Sequence, residues 1–172
     1  MRKLLILTAM FGCSSSSSLN GVGAFSPNTQ LSEEVTDAGP DLLPSLEIDM
    51  AAIASGPVSC AQALDGGVAL IGQFLGMSLF KADGTLVTTG TYQIVDPNLP
   101  VFPDGGNLVN LSISSGDLDA GVNEVGIGVS GTVTLSEKSP ESSGSFSATI
   151  LLADGGGGNL TGNFSATLCA TF

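Results

Sequence analysis

The sequence predicts an all-β fold, a small antiparallel β-sandwich or barrel, and three observations carry that prediction. Short apolar stretches alternate with Ser, Thr or Gly at period two, the pattern of strands with one wet and one dry face. Glycine occurs 24 times in 172 residues and punctuates these stretches, as strand-and-turn architectures require. Hydrophobic residues make up 42% of the chain and charged ones 12%, the reverse of the disordered signature.

The chain opens with an export pattern. Arg2 and Lys3 precede the apolar run Leu4–Phe11, followed by Gly12 and Cys13. A basic start and a short apolar run make a secretory signal. The run falls far below the roughly 20 residues that span a bilayer. Met10-Phe11-Gly12-Cys13 resembles the lipobox of bacterial lipoproteins, with Gly12 and Cys13 matching well and Phe11 bulkier than usual. The resemblance implies that residues 1–12 are a signal peptide and that Cys13 is the lipidation site, anchoring the chain to a membrane. Ser14 after that cysteine is compatible, by the family's sorting rule, with the outer membrane. The alternative is ordinary cleavage, for example after Ala24, giving a secreted soluble protein.

Residues 13–45 read as a lipid-anchored flexible tether, rich in Ser and Pro, in which Glu33-Glu34-Val35 offers at most a helical turn. The β-rich globular domain is expected to span residues 46–172. Leu46, Ile48 and Met50 alternate with Glu47 and Asp49 as a first strand, and Val58–Leu64 reads as a second. Val68–Phe80 is almost wholly apolar or small, with Gly72 and Gly76 inside, and reads as strand; Ala82-Asp83-Gly84-Thr85 then turns the chain. Leu86–Val95 has a good β composition. A Pro-rich loop with Pro97, Pro100 and Pro103 leads to Val109, Leu111 and Ile113 at alternate positions. Val125, Ile127, Val129, Val133 and Leu135 all fall on odd positions, predicting one dry face over a dozen residues.

The end of the chain carries a repeat. Ser143-Gly144-Ser145-Phe146-Ser147-Ala148-Thr149-Ile150 recurs as Thr161-Gly162-Asn163-Phe164-Ser165-Ala166-Thr167-Leu168. The two copies read as a hairpin across Asp154 and Gly155 to Gly158. Pairing Leu152 with Leu160 would set Ala148 opposite Phe164 and Phe146 opposite Ala166, large against small. If Cys13 is lipidated, Cys60 and Cys169 are left as a disulfide pair in an oxidising compartment. Free thiols or a metal pair are the rival readings, and without histidine a zinc site lacks most of its usual ligands. Cys169 shares the odd parity of Ser165 and Thr167. The disulfide must therefore lie on the outer face, or a bulge must turn Cys169 inward.

Gly131-Thr132-Val133-Thr134-Leu135, Gly144-Ser145-Phe146 and Leu160-Thr161-Gly162-Asn163-Phe164 ending in Leu168-Cys169 resemble the C-terminal half of uncharacterised lipoproteins of myxobacteria and their relatives. The similarity spans about residues 83–172, including Asp83-Gly84 and Gly90-Thr91-Tyr92. It implies a small β-sandwich or barrel closed by a C-terminal cysteine, and no substrate.

Charge and composition narrow the functions. Without residues 1–12, only Lys81 and Lys138 oppose 16 acidic residues, a formal charge of −14. Phosphate backbones would be repelled, so nucleic acid is not an expected partner. No histidine means no imidazole base, hence no Ser-His-Asp or Cys-His apparatus. Two carboxylates suffice for a glycosidase. However, Asp65, Asp83, Asp96, Asp104, Asp117, Asp119 and Asp154 mostly sit beside Gly or Pro, where Asp makes turns, and one Tyr with no Trp offers few sugar platforms. No catalytic residue, cofactor or metal ligand is assigned. The expected function is a non-enzymatic, lipid-anchored cell-envelope protein, structural or interaction-mediating. Two alternatives are a lipocalin-like carrier lined by Phe74, Phe80, Tyr92 and Phe102, and a calcium-dependent module. The latter would use the Asp-Gly turns or Asp117-Leu118-Asp119 with Asn123 and Glu124.

Overall fold

A computed structural model describes residues 19–36, 43–64, 71–98, 106–117 and 121–171. Signal residues 1–12, Cys13, Asp65, Phe102, Asp104 and Asp119 lie outside the described residues.

Nine strands are described: β1 (Leu19–Gly21), β2 (Thr29–Val35), β3 (Ser45–Ile53), β4 (Ile71–Lys81), β5 (Gly90–Ile94), β6 (Asn107–Asp117), β7 (Gly121–Glu137), β8 (Glu141–Leu152) and β9 (Gly157–Thr171). A short helix, α1 (Cys60–Leu64), lies between β3 and β4. Strands β3, β4, β6, β7, β8 and β9 pair in sequence, each pair antiparallel, and β2 closes the ring, antiparallel to β3 and parallel to β9. The result is a closed barrel, one of the two architectures expected. β5 wedges between β6 and β7, and β1 adds to β9.

The barrel interior is a packed core. Leu46, Ile48 and Met50 of β3 meet Leu75, Met77 and Leu79 of β4, with Val109 and Leu111 of β6 beside them, all at most 1% exposed. Tyr92 completes the layer from β5. Its buried hydroxyl donates to Thr88 O at 2.6 Å and accepts from Thr88 N at 3.0 Å, tying the preceding loop to the core.

The expected tether is corrected for residues 19–36, which belong to the barrel. β2 was illegible because its inward residues Gln30, Ser32 and Glu34 are polar, although all three are buried. They are satisfied inside. Gln30 Oε1 accepts Ser165 N, Ser32 Oγ donates to Ser142 Oγ, and Glu34 pairs with Lys138 at 2.6 Å. Glu33-Glu34-Val35 is thus strand, not helical turn.

Two further expectations shift. The hairpin register is Ala148↔Leu160, Phe146↔Gly162 and Gly144↔Phe164. Gly157 and Gly158 enter β9 instead of the loop, moving the pairing by four residues while keeping the even positions inside. The repeat thereby makes a reciprocal fit: the phenylalanine of each copy faces the glycine of the other. In β7, the single dry face is broken by bulges near Val125 and Val129. Gly126 and Gly128 point inward there, and a Cβ on Gly128 would stand 3.0 Å from Ile94 and Leu111. Ile127 lies on the outer face, while Val133 and Leu135 return to the core.

Candidate functional site

The segment expected as a second strand, Val58–Leu64, instead carries α1. Ser59 and Gln62 form a capping box: Gln62 Oε1 accepts Ser59 N at 3.0 Å and Ser59 Oγ accepts Gln62 N at 3.4 Å. The Ser-x-x-Gln spacing was the readable signal for this helix. Thr29 Oγ1 accepts Val58 N, so the segment is pinned across the outside of β2. Cys60 bonds to Cys169, with the two Cα atoms 5.2 Å apart, fixing α1 to β9. Cys169 is the extra residue of a bulge in the β2–β9 ladder, on the outside of the barrel.

This arrangement builds a trough on the outer face of β2, β3, β4, β6 and β7. Its floor is the cross-strand row Asp49, Gly76 and Ser112. Gly76 is the saddle: a Cβ there would lie 3.4 Å from Asp49 Oδ1 and 3.5 Å from Ser112 Oγ. On one side the trough is apolar, a cavity of about 220 Å³ walled by Leu31, Ala51, Ile53, Val58 and Phe74. On the other it is polar, about 320 Å³, with Glu47, Ser78, Asn110 and Glu124 beside Asp49 and Ser112. The two halves share Asp49, Gly76 and Ser112.

Electrostatics single out Asp49. The residue is exposed to solvent, yet protein atoms are dense enough around its carboxylate to desolvate it in part. Burial, then the charges of Glu47 and Glu33, pushes its pKa up to about 6. Among the described residues, the Asp49 carboxylate has no hydrogen bond or ion pair. Glu47 accepts a hydrogen bond from Ser78 Oγ at 2.7 Å, and Asn110 Oδ1 is buried without a partner.

Of the residues expected to line a carrier cavity, the three described ones do not share one. Phe74 belongs to the outer cluster with Ala51, Ile53 and Val58, Phe80 to another with Val95 and Leu108, and Tyr92 to the barrel core. The two described Asp-Gly turns, at Asp83 and Asp154, each close on themselves. Asp83 Oδ1 accepts Thr85 N and Thr85 Oγ1, bonds that hold its carboxyl below the usual range; Asp154 Oδ1 accepts Gly156 N. Asp96 Oδ1 likewise accepts Asn98 N. Among the described residues, no three of Cys, Asp and Glu stand together as a metal site, and no helix is long and apolar enough to cross a membrane. Sequence reading missed the trough because its parts come from five strands and the segment before α1, and its central feature is an absent side chain. Comparison with protein-family models, curated proteins and solved structures returns no match.

Proposed function

We propose that this chain is a non-enzymatic, lipid-anchored protein of the bacterial cell envelope that holds a partner against the outside of its barrel. The trough over Gly76 carries this reading: an open surface with an unpaired carboxylate on one side and an apolar wall on the other. The Cys60–Cys169 bond supports an oxidising, extracytoplasmic site of action. The packed interior favours an outer-face site over a carrier cavity.

Two measurements test the proposal in cells. An alkyne-labelled fatty acid is incorporated into the wild-type chain and not into Cys13→Ser. A photo-crosslinking residue placed at Ser112 in the trough gives adducts, while one at exposed Ser136 gives none. Labelling that persists in Cys13→Ser removes the anchor, and identical adduct patterns from both positions remove the trough as the interaction site.

A further inference from the structure

We infer that the trough recognises a basic residue and an apolar residue two positions apart on an extended peptide segment of a partner protein. The inference rests on the interaction-mediating reading above and adds the chemistry of the occupant.

Charge complementarity names the first residue. Glu47 and Asp49 from β3 and Glu124 from β7 line the trough, Glu33 from β2 acts on Asp49 from beside it, and β4 and β6 contribute no charged side chain to it. Beyond residue 12 the chain has two basic residues. Lys138 is committed to Glu34 and to Val87 O, and Lys81 lies at the far end of β4, five residues from the saddle. A cation paired with Asp49 would therefore come from outside the chain. An ammonium or guanidinium over Gly76 would meet the Asp49 carboxylate, with the Ser112 hydroxyl on the other side of the saddle.

Geometry names the second. The apolar wall at Ala51 and Phe74 lies two residues along β3 and β4 from Asp49 and Gly76. An extended peptide lying along the strands presents its same-face side chains at that interval, about 6.6–6.8 Å. A side chain at position i+2 from the basic residue therefore reaches the apolar half. The strands under the trough are paired on both sides, so such a segment is held by its side chains and not by strand addition.

The test uses the exported chain and the fluorescein-labelled peptide Gly-Ser-Lys-Ser-Leu-Ser-Gly, followed by fluorescence anisotropy. Binding should weaken at least about tenfold, ~1.4 kcal/mol, when the lysine becomes norleucine, when the leucine becomes serine, or when one serine is inserted between them. Asp49→Asn and Gly76→Val should each do the same, with unchanged circular dichroism. Glu137→Gln, which removes an equal charge from an exposed position outside the trough, should change affinity less than about twofold. The inference is overturned if Glu137→Gln matches Asp49→Asn, if the spacing or the leucine is immaterial, or if the peptide fails to bind at millimolar concentration. Adducts from Ser112 that persist when the peptide fails leave the interaction reading standing and reject only this occupant.

Discussion

One chemical change, glycine to alanine, is expected to act in opposite directions at two positions of this sheet. At Gly144 an added Cβ would stand 2.0 Å from Thr134 O, a backbone atom of the paired strand, and 2.7 Å from Cζ of Phe164. Neither can withdraw without opening the β7–β8 ladder or unseating a phenylalanine that is 3% exposed. Overpacking costs about 1–3 kcal/mol, and displacing Phe164 places Gly144→Ala at the upper end, about 3 kcal/mol. At Gly76 the Cβ meets Asp49 Oδ1 at 3.4 Å and Ser112 Oγ at 3.5 Å, ordinary contact distances. Gly76→Ala should therefore gain about 0.4–1 kcal/mol from the smaller conformational freedom of its unfolded chain. For a chain of this size, about 2–4 °C of Tm accompanies each kcal/mol. Thermal melts by circular dichroism should show Gly144→Ala falling by about 6–12 °C and Gly76→Ala rising by about 1–4 °C. A Gly144→Ala protein melting within about 2 °C of wild type would refute the close Gly144–Phe164 fit, and with it the hairpin register.

Three further outcomes follow from the same structure. Because the folded pKa of Asp49 is about 6 against an ordinary 3.8, the folded protein holds a proton between those values that the unfolded chain has lost. Stability should decline as pH rises from 3.8 to about 6 and level off above; Asp49→Asn should flatten this decline and gain about 1 kcal/mol at pH 7, after allowance for solvent screening, as read by urea melts across that range. Cys60→Ala with Cys169→Ala opens a loop of sequence separation 109; the expected loss is about 2–4 kcal/mol, and a denaturant midpoint equal to that of the oxidised wild type would contradict it. Lys138→Met strands Glu34, 10% exposed, without its cation, costing about 3 kcal/mol in urea melts, and adding Glu34→Leu should restore most of the loss.

The parts of the fold legible in sequence are those in which one face is dry. β3 and β6 show their parity openly, because Leu46, Ile48 and Met50, and Val109, Leu111 and Ile113 all face the core; β4 reads only as a continuous apolar run, because Phe74 and Phe80 on its other face are buried as well. β2 hides because its inward side chains are polar and gain their partners only when β8 and β9 arrive. The register of the last hairpin depended on where a run of glycines stops being loop, and composition does not mark that point. α1 was lost to an apolar reading of Val58–Leu64, though its capping residues were in view. The Cys60–Cys169 pairing was readable by counting, but the trough it helps to wall was not, since Asp49, Gly76 and Ser112 become neighbours only through strand register.

The start of β1 at Leu19 bears on where such a barrel would sit. A spacer running to residue 45 would allow a wide radius of action. With lipid on Cys13, five residues, 14–18, separate the anchor from β1, a reach of at most ~20 Å. The barrel would then ride against the headgroups as a hull rides at a short mooring. Its neighbours would be drawn from the same membrane surface, and the strongly negative body would favour patches of that surface poor in anionic lipid.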